Sequence, residues 1–217
     1  SDLAVARALG ESEDVVRVMS IHKSKGLEFP VVFVADLGKA MNLQDSRALV
    51  LCHKDLGLGP YVTQPELRFR YPTLARMGIS HKLIMEAKAE ELRILYVALT
   101  RAREKLILVG SATKLQKKAE HWGRLAERPS VTLPDWLIAG AKSYLDWIFP
   151  ALARHKDGGI IREYAGGEGS FNGPLCQHPS RWQLQILPAA ALQKGENLSV
   201  QEAPFLENIK KLQPVEA

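Results

Sequence analysis

The chain has 217 residues and a formal net charge of +5, with 46% hydrophobic and 24% charged residues. These values are ordinary for a globular protein with a sizeable core. No apolar run approaches the ~18 residues that cross a bilayer, and the first residues lack a signal-peptide pattern, so we expect neither a membrane protein nor a secreted one. The mild excess of positive charge permits a polyanionic partner without identifying it.

The two cysteines, Cys52 and Cys176, stand far apart and lack the spacing of a metal or redox site. We expect buried free thiols in a protein of a reducing compartment. The chain begins SDLAVARALGESED without an initiator Met, which predicts a piece of a longer protein. Within that stretch, residues 2–9 have the apolar spacing of a helix end.

Two valine-rich runs, 15–19 and 31–35, predict strands that are buried on both faces of a parallel sheet. The segment between them, SIHKSKGLEFP, is polar and is interrupted by Gly26 and Pro30. A polar loop at the end of a buried strand is where open α/β sheets bind ligands. Its hydroxyls and cations suit phosphate, and its carboxylate suits a ribose hydroxyl. Taken alone, the loop fits a solvated connection equally well; its polar side chains are Ser20, His22, Lys23, Ser24, Lys25 and Glu28.

A third apolar run at 48–52 precedes a stretch rich in Pro and Gly, HKDLGLGPYVTQPELRFRYPT, which predicts a long loop or a string of turns. Arginines and aromatic residues alternate there, and such an arrangement can stack on bases. Packing of these side chains within the loop is the interpretation we favour; they are Tyr61, Arg68, Phe69, Arg70 and Tyr71.

From residue 74 to about residue 103, apolar positions follow the i, i+3, i+4, i+7 spacing of an amphipathic helix. A buried strand, 106–109, follows directly, so the helix delivers Arg101 and Arg103 to the edge of a sheet. An arginine there forms a surface salt bridge or acts as a fixed cation for a phosphate across a cleft. For Arg101 the salt-bridge partners would be Glu90 or Glu104.

The rest of the chain predicts helices and a linker. Residues 114–128 predict a basic helix anchored by Trp122, with a solvated face favoured over a DNA track. Residues 135–155 predict one amphipathic helix that is kinked or restarted at Pro150. The glycine-rich residues 158–179 predict a flexible crossing, 181–187 alternate as a strand does, and 205–212 have a weak helical pattern.

Two segments in combination resemble a known family. The loop SIHKSKGLEFPVV, followed later by EELRILYVALTRA, resembles motifs V and VI of the UvrD/Rep/RecB group of superfamily-one DNA helicases. Three further segments, NLQDSRALVLCHKDLGLGP, PELRFRYPTLA and SYLDWIFPAL, resemble the large subunits of AddAB-type helicase–nucleases. The similarity covers nearly the whole chain.

The resemblance implies an α/β fold, namely part of a RecA-like parallel sheet of the P-loop NTPase type with helices, a helical segment and a linker. Residues 1–128 would be the C-terminal part of the second RecA-like helicase domain. Residues 129–157 would be the helical segment. Residues 158–217 would be a flexible linker with a short strand that leads toward a nuclease domain. ATP with Mg²⁺ would lie between two RecA-like domains and be bound mainly by the first.

The resemblance also implies the site residues. Arg101 corresponds to the arginine finger that reaches the γ-phosphate, so it would be catalytic as well as ATP-binding. Glu28 corresponds to the glutamate beside the ribose and phosphates, and Gly26 would let the backbone bend close to the nucleotide. No metal ligands are implied in this chain. The positions that contact single-stranded DNA correspond to Ser20, where threonine is more usual, and His22, with Lys25 beside them.

The implied function is that of an ATP-dependent 3′–5′ helicase–nuclease subunit for double-strand break repair and recombination in the bacterial cytoplasm. Its partners would be single-stranded DNA, duplex DNA ends and an AddB-type second subunit. The sequence has no G-x-x-x-x-G-K-[ST] phosphate loop and no cysteine cluster for an iron–sulfur site, so we expect the chain alone to be inactive. The alternatives are a repair helicase without a nuclease and a non-catalytic module that retains the fold; intact Gly26, Glu28 and Arg101 argue against the second.

Overall fold

The structure, a computed structural model, describes residues 15–123, 128, 130–167, 173 and 175–189. Three 3₁₀ turns in these residues occupy Ile21–Ser24, Gln44–Arg47 and Lys156–Gly158. The strands are β1 (Phe29–Val34), β2 (Leu51–His53), β3 (Gly57–Gly59), β4 (Tyr61–Gln64), β5 (Phe69–Pro72) and β6 (Ala102–Leu108). The helices are α1 (Leu74–Leu99), α2 (Leu115–Gly123), α3 (Asp135–Gly140), α4 (Leu145–Ala153) and α5 (Gly159–Tyr164).

Strands β1 and β6 form a parallel pair that carries the rest of the fold. β1 is rich in valine and the second half of β6 is apolar, which suits a pleated and partly buried backbone. Val34 lies opposite Leu108, and the register shifts between Phe29 and Val31. Parallel strands need a long crossover connection, and the two hairpins and α1 provide it. The predicted α/β fold is confirmed, as are the strands predicted at 31–35 and 106–109. Their expected burial on both faces is wrong, because Phe33 is 61% exposed and no residue of β6 is fully buried.

The strand predicted at residues 15–19 is wrong. These residues have no regular secondary structure, and Val16 and Val18 are 95% and 96% exposed. A buried strand requires neighbours that bond its N–H and C=O groups. No strand in the described part of the chain pairs with this segment, so its apolar sequence alone cannot place it in a sheet.

Helix α1 confirms the predicted amphipathic helix and ends earlier than expected. The Thr73 hydroxyl caps its start by accepting the Arg76 N–H at 3.1 Å, a typical N-cap bond. Leu95 and Ala98 are buried against the core. The helix ends at Leu99 instead of residue 103, because β6 begins at Ala102. Arg101 therefore stands in the short connection between the helix and the strand.

The stretch predicted as a long loop forms two antiparallel hairpins, β2–β3 and β4–β5. The β2–β3 hairpin packs against α1. Tyr61 lies under the Arg76 guanidinium, which is 3.9 Å from the ring centroid. Phe69 and Tyr71, by contrast, are 45% and 47% exposed. The expectation that all these side chains pack within a loop is therefore wrong for these two rings.

The helix predicted at 135–155 is interrupted at residues 141–144, giving α3 and α4. The Asp146 carboxylate, in the first turn of α4, stabilises the break by accepting three hydrogen bonds, from the Lys142 N–H at 2.9 Å, the Ser143 N–H at 3.0 Å and the Ser143 hydroxyl at 3.1 Å. A carboxylate in the first turn that reaches back to the preceding N–H groups favours a helix start at this point. Pro150 lies within α4.

One hydrophobic core joins the parallel pair to the later helices. Trp122 of α2 is 1% exposed, as its predicted role of packing anchor requires, and its ring lies 4.7 Å from that of Phe149. None of the helices in the described ranges is long and apolar enough to cross a bilayer. The proposed division at residue 128 stays a prediction about the longer protein. The core contains Val34, Leu37, Leu95, Ala98, Ala119, Trp122, Ala141, Leu145, Trp147, Leu152, Ala153 and Ile161.

Two predictions for the last part of the chain are wrong. The start of the predicted flexible crossing is helical, because α5 occupies Gly159–Tyr164, and the buried Arg162 guanidinium donates to the Ala153 and His155 carbonyls at 2.8 and 2.9 Å. Residues 181–187 have no assigned strand. Cys52 is exposed and Cys176 half-buried, so the expectation of buried thiols is also wrong. The helices predicted at 2–9 and 205–212 lie outside the described residues.

Candidate functional site

The loop between residues 20 and 28 is built from successive tight turns. The Lys23, Lys25 and Leu27 N–H groups donate to carbonyls three residues earlier, at 3.0, 3.3 and 3.0 Å. The buried Ser24 hydroxyl donates to the Ile21 carbonyl at 2.7 Å. These bonds satisfy much of the loop's backbone internally, so the loop holds a defined shape while its polar side chains face outward.

The structure places the predicted DNA- and nucleotide-contacting residues of this loop at the surface. Ser20, His22, Lys25, Gly26 and Glu28 are all exposed. Gly26 has a φ of +83°, and a Cβ built there meets no atom within 4 Å. Glycine is therefore required for the left-handed backbone of the turn and not for lack of space. The resulting surface offers a hydroxyl, an imidazole, an ammonium and a carboxylate side by side.

Arg101 comes to the same place from the other strand. The Phe29 N–H donates to the Arg101 carbonyl at 2.9 Å, and Phe29 lies opposite Ala102 in the parallel register. Glu28 and Arg101 thus immediately precede two adjacent strands. Because β1 and β6 run parallel, both residues lie at the amino edge of the pair. The sequence predicts this loop at the carboxyl end of a strand at 15–19, and that placement is wrong because the strand is absent. The loop and Arg101 nevertheless meet.

Three hydrogen bonds hold the Arg101 guanidinium. Its Nε donates to the Val97 carbonyl at 2.9 Å, Nη1 to the Leu27 carbonyl at 2.8 Å, and Nη2 to the Thr100 hydroxyl at 3.0 Å. All three acceptors are neutral, so the positive charge of this half-buried side chain is not cancelled by a carboxylate. A guanidinium has five N–H bonds. One on each terminal nitrogen therefore has no acceptor among the described residues.

The salt bridges considered for Arg101 do not form. None of the ion pairs between described residues includes Arg101, and Glu90 bonds Arg93 instead. The site therefore presents a held cation with one unbonded N–H on each terminal nitrogen, and the exposed Glu28 directly precedes the neighbouring strand. Arginine N–H bonds are strong donors to phosphate oxygens.

Comparison with known proteins identifies the family of the chain. The UvrD-like helicase C-terminal domain family matches residues 5–113, half of the chain, and the match includes the loop, α1 and Arg101. The chain belongs to this family. Membership implies that the protein containing the chain uses a nucleotide. The UvrD-like match ends just before α2, so it does not describe the later helices.

Similarity to curated relatives extends over those helices as well. The chain is 48% identical to the A subunit of the ATP-dependent helicase/nuclease from Heliobacterium modesticaldum, over 99% of this chain and 17% of the relative. It is 49% identical to the protein of the same name from Desulforamulus reducens, over 100% of this chain and 17% of the relative. For the Bacillus mycoides protein of that name, identity is 45% over the same shares. The UvrD-like chain thus spans 17% of the length of these relatives.

The sequence does not identify the three groups that hold Arg101, which are the Val97 and Leu27 carbonyls and the Thr100 hydroxyl. A backbone carbonyl leaves no signal in a sequence. The hydroxyl does leave one, because Thr100 directly precedes Arg101 and is the C-cap of α1. Two arginines lie near Arg101 in the sequence. Arg93 donates to the Glu90 carboxylate, and Arg103 is exposed on β6.

A second cluster in this UvrD-like chain has the composition of a hydrolase triad but not its proton arrangement. His155 Nδ1 accepts the Asp157 N–H at 3.1 Å, so its proton is on Nε2, which lies 3.2 Å from the Ser180 hydroxyl oxygen. That hydroxyl in turn lies 2.8 Å from His178 Nδ1. Because His178 Nδ1 also accepts the Ser180 N–H at 3.3 Å, the Ser180 hydroxyl donates to His178. The same hydroxyl accepts from His155, which is the histidine that contacts Asp157, whereas in a triad the histidine beside the aspartate takes the serine proton. These bonds connect residues 178–180 to the turn after α4.

Proposed function

We propose that this chain supplies the nucleotide-sensing and DNA-gripping edge of the second RecA-like domain in an ATP-dependent DNA helicase–nuclease subunit. The observation that carries the proposal is the fixed Arg101 guanidinium. Its charge is uncancelled, and two of its N–H bonds remain beside the loop of residues 20–28. Family membership and the names of the relatives support the same proposal.

Arg101 would act as the arginine finger. During phosphoryl transfer, negative charge is spread over the oxygens of the transferring group, and a permanent planar cation stabilises that charge. The two remaining N–H bonds can reach two oxygens of the γ-phosphate without release of the three bonds that hold the guanidinium. A preorganised donor of this kind needs little rearrangement when the phosphoryl group transfers.

ATP with Mg²⁺ is the nucleotide proposed for this site, with only one side of it bound by this chain. Glu28 would accept hydrogen bonds from the ribose, and Gly26 would keep the loop backbone close to the nucleotide. The described residues contain no group of three acidic, histidine or cysteine side chains able to hold a metal. The metal ligands and the phosphate loop would therefore come from the first RecA-like domain.

The same loop would contact DNA at its other end. Ser20, His22 and Lys25 offer a hydroxyl, an imidazole and an ammonium, which are groups that bond phosphate oxygens of a nucleic acid backbone. Glu28 lies a few residues farther along in one hydrogen-bonded loop. Closure of the cleft around ATP would then shift the groups that hold the DNA. Repeated closure would move the protein along one strand, in the 3′ to 5′ direction expected from the resemblance.

The parent protein would act in double-strand break repair and recombination in the bacterial cytoplasm. Its DNA substrates would be single strands and duplex ends, and an AddB-type subunit would complete the enzyme, as the word subunit in the relatives' names suggests. A repair helicase without a nuclease is less well supported, because similarity to the helicase/nuclease subunits covers α2–α5 as well as the UvrD-like part. Residues 158–217 would then connect the motor to the nuclease domain.

The test is ATP hydrolysis by the full-length subunit with its partner, on single-stranded DNA, with Arg101→Ala. We expect a loss of about 10³-fold in turnover with nucleotide affinity largely kept, because loss of an arginine finger costs that order of rate. Arg70→Ala is the matched control. Arg70 is an exposed arginine near the other end of α1 that stacks on Tyr61 at 5.0 Å, and its removal should leave turnover within about twofold. Equal rates for wild type and Arg101→Ala would refute the proposal.

A further inference from the structure

We propose that Thr100 is a positioning residue for Arg101 and that its hydroxyl sets the plane of the guanidinium. The inference rests on the proposed function, since it concerns the same phosphate-directed cation. Thr100 is exposed and lies at the C-cap of α1. Its Oγ1 is within 2.9 Å of the Tyr96 carbonyl and 3.1 Å of the Val97 carbonyl, so the hydroxyl hydrogen points back to the helix. The lone pairs then face the Arg101 Nη2 at 3.0 Å.

This bond is one of three that together define the guanidinium plane. Two further acceptors, the Val97 and Leu27 carbonyls, hold Nε and Nη1. Three non-collinear points fix a planar group, whereas two points leave it free to rotate about the line between them. Without the Thr100 acceptor, Arg101 would stay in place but its guanidinium plane would turn. The two N–H bonds meant for the phosphate would then point in the wrong direction. Misplacement of a reacting group by about 1 Å can lower a rate by 10²-fold.

The hydroxyl is not needed to end the helix. The Thr100 backbone N–H already donates to the Tyr96 and Val97 carbonyls at 3.1 and 3.3 Å, and the Arg101 N–H donates to the Ala98 carbonyl at 3.4 Å. These bonds terminate α1 without any side chain. Because Thr100 is exposed, its hydroxyl also fills no cavity. Removal of the hydroxyl should therefore act mainly through Arg101.

The variants that test this are Thr100→Val, which keeps the shape and loses the hydroxyl, and Thr100→Ser, which keeps the hydroxyl. Both are compared with wild type in the full-length subunit with its partner, by single-turnover ATP hydrolysis at saturating ATP on single-stranded DNA. Titration with a fluorescent ATP analogue gives nucleotide affinity and counts the folded sites. We expect Thr100→Val to hydrolyse ATP about 10- to 100-fold more slowly with nucleotide affinity unchanged, and Thr100→Ser to stay within about threefold of wild type.

Two results would overturn the inference. An unchanged rate for Thr100→Val would mean that the hydroxyl does not position Arg101. Equal losses in Thr100→Val and Thr100→Ser would mean that the hydroxyl, which Thr100→Ser keeps, does not by itself position Arg101. Arg101→Ala measured in parallel separates this failure from failure of the proposed function. If Arg101→Ala is slow and Thr100→Val is normal, only the positioning role fails, whereas a normal rate in Arg101→Ala removes the finger itself.

Discussion

The two ends of helix α1 carry two arginines that each donate three hydrogen bonds and differ in how accessible the guanidinium is. Arg76, at the N-terminal end, is 4% exposed and donates to the Leu49 and Gly59 carbonyls at 3.0 and 3.4 Å and to the Ala48 carbonyl. Its guanidinium also stacks on Tyr61. Arg101, at the C-terminal end, likewise donates to carbonyls but is only half-buried.

The difference shows that bonds to backbone carbonyls do not by themselves distinguish a structural arginine from a functional one. Arg76 is enclosed by the hairpins, so no outside group can reach it. Arg101 keeps N–H bonds at the surface, next to a polar loop whose side chains are exposed. The proposed function therefore depends on accessible donors and an uncancelled charge at one end of α1. The other end uses the same chemistry to attach β2–β5 to the helix.

The largest stability effect is expected from Arg76→Ala. Its removal leaves buried carbonyls of the hairpin region without donors, and each such group costs about 1–3 kcal/mol. We expect the hairpins to open more readily by about 3 kcal/mol, measured as faster hydrogen exchange of amides in residues 48–73 of the full-length protein. Hydrolysis per folded site should stay near the wild-type rate. A loss of rate as large as that of Arg101→Ala would remove the distinction between the two arginines.

A smaller effect is expected from Gly26→Ala, in the loop at the Arg101 end. The φ of +83° at Gly26 disfavours any side chain by about 1–2 kcal/mol. The change should weaken hydrogen-exchange protection of residues 21–29 and lower affinity for single-stranded DNA. Gly78→Ala is the matched control, because a Cβ at Gly78 also meets nothing within 4 Å but the residue lies inside α1. There alanine should stabilise the helix by about 0.5–1 kcal/mol; destabilisation by both variants would contradict the reason given for Gly26.

The smallest expected effect is a pH dependence of stability at the hairpin end of α1. His53 Nδ1 accepts the Asp55 N–H at 3.2 Å, which leaves Nε2–H to donate to the Glu86 carboxylate at 3.2 and 3.3 Å. This hydrogen bond from His53 holds the pKa of Glu86 below its ordinary value of 4.5. A depressed folded-state pKa contributes stability that is complete above the unfolded-state pKa and is lost as pH falls through the folded-state value.

Glu86→Gln tests this contribution, because the amide cannot titrate. In urea unfolding between about pH 3 and pH 7, wild type should lose more stability than the variant at the acidic end and match its slope near neutral pH. Lys82 forms an i, i+4 ion pair with the same carboxylate at 3.5 Å, so Lys82→Met serves as a control that keeps the His53 bond. Identical acid slopes for wild type and Glu86→Gln would show that the His53 bond does not contribute.

What the sequence predicted well are the elements whose pattern is local. The existence and start of α1, the strand after it and the anchor role of Trp122 follow from apolar spacing that the helix and strand satisfy by themselves. The failures depend on partners. The valines at 15–19 have the composition of a buried strand, but no described strand accepts their hydrogen bonds. The break at 141–144 depends on one carboxylate, Asp146, whose capping role is not distinguishable in a sequence from that of a surface charge.

The features of the site likewise separate into those that the sequence predicts and those that it does not. The residue types of the loop and the position of Arg101 were readable because they stand in two specific motifs. Their meeting at the amino edge of β1 and β6 was not, because it depends on the parallel register of strands far apart in the chain. The Leu27 carbonyl and the orientation of the Thr100 hydroxyl follow only from the geometry of that meeting.

The central claim is that Arg101, and not Arg76, is the cation that stabilises phosphoryl transfer. The direct measurement is single-turnover ATP hydrolysis on single-stranded DNA by the full-length subunit with its partner. Wild type, Arg101→Ala and Arg76→Ala are compared per nucleotide-binding site. The account predicts a loss of about 10³-fold for Arg101→Ala and a near-normal rate for Arg76→Ala. Equal rates in wild type and Arg101→Ala would contradict it.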